Sequence, residues 1–139
     1  TIQTLNQNSK PLFDTSLLPD NSFKLRVKGN RQLLLLAFSN IIMNGCKYSN
    51  NQTVKISVGA TNTHVIIIVK DAGIGIPKEE MQYIFDPFYR ASTTKKFEGY
   101  GIGLPLTKNI LKMHQGKINI LTADTGGTIV EVHLPIAPL

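Results

Sequence analysis

Asp71-Ala72-Gly73-Ile74-Gly75-Ile76-Pro77 closes an apolar run, and further on Gly99-Tyr100-Gly101-Ile102-Gly103-Leu104 opens a stretch with helical patterning. Glycines let a backbone pass close to a ligand, and a carboxylate fixed at the end of a strand is an acceptor with a defined direction. The second glycine run would set backbone N–H groups and the positive end of a helix against phosphates. Upstream, Asn40, Asn44, Lys47 and Tyr48 fall along one line of a helix. Amide oxygens are hard, neutral ligands for a Mg²⁺ ion that keeps several waters and bridges phosphates, and an ammonium one turn on can meet a phosphate oxygen. These types and spacings predict a nucleotide site built from two glycine loops and one polar helix stripe.

Each feature has a plainer alternative. Asp71 could be a strand-ending Asp-Gly turn, the asparagine pair a solvated helix face, Arg90 an exposed salt bridge, and Gly126-Gly127 a bare hairpin turn. Asparagine is a mediocre helix former, however, and here it interrupts a run of Leu, Ile and Phe. The glycine run is not a Walker loop, because no Gly-Lys-Ser/Thr follows, and Gly73-Ile74-Gly75 lacks the third glycine of a dinucleotide-binding turn. His64, His114 and His133 show no metal spacing and are expected to be structural.

The elements that must hold these residues follow from periodicity. Residues 1–22 are polar and broken by Pro11 and Pro19, so they predict an irregular arm with one short strand near Leu12 and Phe13. Phe23, Leu25 and Val27 alternate with Lys24, Arg26 and Lys28 as a strand ended by Gly29-Asn30. A helix is expected from about Arg31 to Tyr48, with Leu35, Phe38, Ile42 and Cys46 on its apolar face. Val54, Ile56 and Val58 alternate as a strand, and Val65 to Lys70, nearly all apolar, predicts a strand buried on both faces. Pro77 opens a short helix through Phe85, the polar loop from Asp86 to Glu98 is a candidate lid, and a helix follows from Gly103 to His114 with Gly116 as its stop. Lys117 to Thr122 and Thr128 to Leu134 pair as a hairpin. Together they predict an α+β fold, a two-layer sandwich with helices on one face of a mixed, mostly antiparallel sheet.

Ile84-Phe85-Asp86-Pro87-Phe88-Tyr89-Arg90 and Gly126-Gly127-Thr128 complete an ordered series. From about residue 23 to residue 135 the chain resembles the ATP-binding catalytic domain of sensor histidine kinases, in the superfamily shared with type II topoisomerases, the ninety-kilodalton heat-shock chaperone and MutL. The resemblance implies a Bergerat-type fold in residues 23–139, ATP and Mg²⁺ as cofactors, and a role for each matching residue. Asp71 would contact the adenine amine, with Gly73, Gly75 and Ile76 passing beside the ring. Asn44 would be the main Mg²⁺ ligand, assisted by Asn40 directly or through water, while Lys47 meets phosphate and Tyr48 packs near ribose or base. Phe85 and Phe88 would anchor the base of the lid, with Tyr89 beside them. Arg90 would spread charge over the γ-phosphate, which makes Arg90 and Lys47 the catalytic candidates. Gly99, Tyr100, Gly101, Ile102, Gly103 and Leu104 would line the phosphates, and Thr128 closes the set. Asn40 stands where relatives that hydrolyse ATP carry a glutamate as general base, and an amide cannot take a proton at neutral pH, which favours a kinase. Two departures are Gly45, where alanine is usual, and Pro105, where a small helix former is usual.

The expected reaction is transfer of the γ-phosphoryl of Mg-ATP to a histidine on a separate dimerisation domain of a homodimeric parent protein, then to an aspartate of a response regulator. No His-Glu acceptor sequence lies in these 139 residues. A nucleotide-sensing regulatory module without phosphoryl transfer is the alternative. The net charge of +6 suggests a nucleic-acid partner only weakly, since the basic residues are dispersed and only Lys95-Lys96 are adjacent. The expectation is therefore no nucleic acid, a monomeric isolated domain and a cytoplasmic location, with the parent able to be anchored in the inner membrane. Cys46 is the only cysteine, which excludes an internal disulfide. The chain as given has no apolar run of membrane-spanning length, no leader pattern at Thr1, and length for one domain.

Overall fold

The structure is a computed structural model that describes residues 11–17, 26–48, 54–73, 75–86, 103–123 and 126–137, with backbone alone for 11–17 and 45–48. Five strands form one sheet: β1 (Pro11–Leu17), β2 (Val54–Ala60), β3 (His64–Lys70), β4 (Lys117–Thr122) and β5 (Thr128–Pro135), in the order β1-β2-β3-β5-β4. The β1–β2 pair is parallel and the other three are antiparallel. Two helices, α1 (Arg31–Tyr48) and α2 (Gly103–Met113), pack on each other and on the sheet, and a 3-10 turn runs over Lys78–Tyr83.

Strand register explains why the helices lie where they do. Ile56 pairs with Val69, Val69 with Val130, and Ile120 with Val130, so one apolar row crosses the sheet. Val58, Ile67, Val132 and Ile118 make the next row on the same face. Ile41 and Ile42 of α1 and Leu111 of α2 close over these rows as the core. Each such side chain contributes roughly 1.5–3 kcal/mol when fully buried.

The two helix ends are held by specific bonds. Asn30 caps α1 through its Oδ1, which accepts from Leu33 N–H at 3.0 Å. The Asn30 N–H in turn donates to His114 Nε2 at 2.9 Å, and His114 Nδ1 meets the Ile110 carbonyl at 2.7 Å. A carbonyl only accepts, so His114 is neutral with its proton on Nδ1. It is structural, as expected. Gly29 lies under the imidazole, where any Cβ would overlap the ring. At the end of α2, Gly116 N–H bonds to Leu111 O at 2.8 Å and Gln115 N–H to Lys112 O at 3.0 Å, a Schellman pair.

Several expectations need correction. The short strand expected near Leu12 and Phe13 is present but longer, a seven-residue strand that joins the sheet. Of the strand expected at residues 23–28, Arg26 to Lys28 are not strand, because Gly29 and Asn30 are committed to the start of α1, and residues 23–25 lie outside the described residues. In β3 only Val69 is fully buried, since Ile66 and Ile68 face a side that carries no helix among the described residues. In α1 the buried stripe is Ala37, Ile41 and Ile42 with Leu34 and Phe38, whereas Leu35 is 54% exposed. The left-handed residue that ends α2 is Gln115 (φ 59), and Gly116 is needed instead for its close approach to His133 O.

Candidate functional site

The apolar run of β3 ends at Asp71, which is 8% exposed. Its N–H donates to Thr128 O at 3.0 Å, continuing the ladder to β5 for one more residue. Its side chain turns back on the chain, and Oδ1 accepts from Gly73 N–H at 2.8 Å and from Thr128 N–H at 3.2 Å. Burial pushes the carboxyl above its ordinary value, and these two backbone hydrogen bonds oppose that rise. The carboxylate is therefore aimed by two rigid amides that share one oxygen.

The turn that follows is docked onto the β4–β5 hairpin. Gly75 takes φ 72 and is buried, with Gly127 O 3.3 Å from where a Cβ would stand. Thr122 Oγ1 donates to Ile76 O at 2.7 Å. Gly127, at φ 87, passes directly over the Asp71 carbonyl. Two segments far apart in sequence thus hold one another: the residues from Asp71 to Ile76 that the structure describes, and the β4–β5 hairpin at Thr122, Gly127 and Thr128. The hairpin turn at Gly126-Gly127 is consequently more than a bare connection.

Asn40, in the polar stripe of α1, faces α2. Asn40 and Asn44, one turn apart, are both half-buried. Asn40 Nδ2 lies 3.5 Å from Thr107 Oγ1, across the α1–α2 contact. Thr107 is fully buried, although it lies between Leu104 and Ile110 on the inward side of α2. At the first turn of α2, no atom of the described residues comes within 4 Å of a Cβ built on Gly103. Among the described residues no three His, Cys, Asp or Glu side chains group as a metal site. The oxygens present here are neutral amides, a donor set that fits Mg²⁺ bound mainly through phosphates and water.

Just before the candidate lid in the sequence, Ile84 is buried while Phe85 is only half-buried, with Lys108 Nζ 4.7 Å above its ring. Phe85 is thus held by a cation on α2 and is not the core anchor expected of it. Asp71, Gly73, Gly75, Ile76 and Thr128 come together as one unit, and Asn40 meets the α2 helix that begins at Gly103 and Leu104. Lys47 and Tyr48 extend the asparagine stripe by another turn of α1 backbone. Phe88, Tyr89, Arg90, Gly99, Tyr100, Gly101 and Ile102 lie outside the described residues. Thr107 and Lys108 are additions the sequence reading missed. The signal for Thr107 was a hydroxyl in a position of α2 where periodicity demands an apolar side chain.

Known proteins share this architecture. Residues 29–138 match the family described as histidine kinase-, DNA gyrase B- and HSP90-like ATPase. Sporulation kinase C of Bacillus subtilis is 39% identical over 111 residues, 79% of this chain and 25% of that protein. Sensor histidine kinase WalK of the same organism is 36% identical over 123 residues, 85% of this chain and 20% of that protein. The chain therefore spans a quarter or less of the length of these curated relatives. The solved catalytic domain of histidine kinase ThkA superposes with a TM-score of 0.77 at 27% identity, covering 99% of this chain and 85% of that one. The mycobacterial sensor histidine kinase MprB gives a TM-score of 0.84 at 23% identity, over 99% of this chain and 90% of that one, a match that speaks for the fold.

Proposed function

Since the chain belongs to the family of histidine kinase-, DNA gyrase B- and HSP90-like ATPases, we propose that it is the ATP-binding catalytic domain of a two-component sensor histidine kinase. The observation that carries this reading is Asp71, a buried carboxylate at a strand mouth whose Oδ1 is held by Gly73 and Thr128 N–H groups. With Oδ1 so occupied, Oδ2 is the oxygen we assign to the exocyclic amine of adenine. The turn from Gly73 to Ile76, pinned by Thr122, would then lie beside the ring.

At the phosphate end, Asn44 and Asn40 would hold Mg²⁺, which when bound neutralises charge on the phosphate oxygens. Lys47 would contact phosphate, and the N-terminal end of α2 would present N–H groups to it. Arg90 would meet charge that grows on the γ-phosphoryl as its bond to the β-phosphate loosens, acting more strongly in the transition state than in the ground state. The acceptor would be a histidine on a helical dimerisation domain of the parent protein, and the response regulator would take the phosphoryl next. We place the catalytic unit in residues 23–139, with the strand Pro11–Leu17 added to its sheet from the preceding segment. No helix among the described residues is long and apolar enough to cross a membrane.

Incubation with γ-labelled ATP and a cognate histidine-bearing helical domain tests this. Acid-labile, alkali-stable label on the added domain is expected. ATP binding with no transfer to that acceptor would favour a nucleotide-sensing module instead.

A further inference from the structure

An asparagine amide has two ends of opposite character. Its Oδ1 attracts a cation, while its Nδ2, carrying two N–H donors, repels one. A metal ligand of this kind works only if something fixes the end that faces the metal. Neither rotamer preference nor packing does so well, because the two ends have nearly the same shape.

Asn40 projects from the middle of α1 toward α2, where its Nδ2 lies 3.5 Å from Thr107 Oγ1. Thr107 is completely buried. A valine would fill that space with a methyl group in place of the hydroxyl but would take away the acceptor that Asn40 Nδ2 meets, so the reason for threonine lies in that contact and not in packing alone. In a helix a threonine hydroxyl can give its proton to a carbonyl one turn back, which leaves its lone pairs to accept. An acceptor at this place selects the Nδ2 end of Asn40. The Oδ1 end is then turned away from the α1–α2 contact.

We propose that Thr107 is a positioning residue, whose buried hydroxyl accepts from Asn40 Nδ2 and so presents Asn40 Oδ1 to the metal and phosphate end of the site. The proposal rests on the assignment of Asn40 to Mg²⁺ made above. It also ties that ligand to α2, the helix whose first turn would meet the phosphates. Metal and phosphate groups would thereby be held on one rigid pair of helices.

The experiment uses the full 139-residue chain and measures ATP affinity with Mg²⁺ and with EDTA by calorimetry. The ratio of the two affinities is the readout, and thermal melts confirm that each variant is folded. Thr107→Val is expected to cut the Mg²⁺ enhancement by about tenfold or more, as loss of a group orienting a metal ligand commonly does. Its affinity in EDTA should stay within about twofold of the parent, a change worth under half a kcal/mol. Thr107→Ser keeps the acceptor and should restore the enhancement, whereas a packing role would be harmed more by Ser than by Val. Asn40→Ala separates the two ideas. If Asn40→Ala lowers the enhancement and Thr107→Val does not, the role of Thr107 is overturned. If neither does, Asn40 is no metal ligand and the premise itself falls.

Discussion

Gly127 lies against the main chain of Asp71 so closely that a Cβ at position 127 would overlap the Asp71 carbonyl. The glycine also takes φ 87, in the region that L side chains avoid. Its neighbour Gly126 takes φ 93, yet no atom of the described residues lies within 4 Å of a Cβ built there. The pair separates two effects. Gly126→Ala carries only backbone strain, of order 1–3 kcal/mol. Gly127→Ala carries the same strain and must also push the Asp71 loop off the hairpin. Both variants should melt earlier, but only Gly127→Ala should weaken ATP binding, by about tenfold or more for a lost charged hydrogen bond. ATP affinity unchanged in a folded Gly127→Ala protein would show that the position of Asp71 does not matter to the ligand.

Asp71 itself should trade stability for binding. Its carboxyl titrates above the ordinary value because burial disfavours the ion. The folded state therefore holds that proton more readily than the unfolded chain does. Above the folded-state value the ionised group costs stability, and the cost disappears as pH falls toward the unfolded value. Asp71→Asn keeps an Oδ1 that accepts from Gly73 and Thr128, but it loses the charge and turns an N–H donor toward the adenine amine. At neutral pH the variant should melt no earlier than the parent, and any advantage should shrink on acidification. Its ATP affinity should drop by about 1.5–3 kcal/mol. Melts across pH, together with calorimetry at neutral pH, check both halves. A large loss of stability at neutral pH would mean that the ion, and not the amide-like oxygen, holds the loop.

Gln115 occupies the left-handed position that ends α2, with φ 59. A residue with a Cβ pays roughly 1–2 kcal/mol for that conformation. Glycine pays little there but gains freedom in the unfolded chain, so Gln115→Gly should stabilise the fold by about 1 kcal/mol. The denaturant midpoint should rise with an unchanged slope. Nucleotide binding should not move, since the site lies toward the other end of α2. Gly116→Ala, by contrast, should destabilise, because a Cβ there would stand 2.8 Å from His133 O.

Local chemistry was the part of this protein written plainly in its sequence. The turn after β3, the asparagine stripe and the hairpin glycines can each be recognised from residue type. Relations between distant segments were not. The strand Pro11–Leu17 pairs in parallel with β2, far along the chain, and nothing in its mixed composition marks that partner. The apolar run of β3 looked doubly buried, yet hydrophobic residues beside neighbouring strands are partly covered without a second layer. Leu35 seemed to belong to the core by type, but α1 turns it outward because Ala37 and Ile41 face the sheet. The Thr107 hydroxyl was legible as an oddity on the inward side of α2, but its meaning was not, since that depends on Asn40, which lies 67 residues earlier in the chain.

Asn40 also bears on what the isolated chain should fail to do. Hydrolysis of ATP needs a base that takes a proton from the attacking water, and an amide cannot serve at neutral pH. The chain alone should therefore bind Mg-ATP yet release phosphate slowly, leaving the γ-phosphoryl for another nucleophile. Asn40→Glu introduces a carboxylate at that place, and the Thr107 hydroxyl, which accepts from Asn40 Nδ2, would have to turn its proton toward the new oxygen. Phosphate release by this variant should rise measurably above the parent while ATP remains bound. Continuous phosphate detection at saturating ATP gives the comparison, with Asn40→Gln, an amide of the same length as Glu, as the control that should stay slow. Brisk release by the unmodified chain would place it with the hydrolysing relatives. A flat response in Asn40→Glu would locate the barrier to water attack elsewhere than in the missing carboxylate.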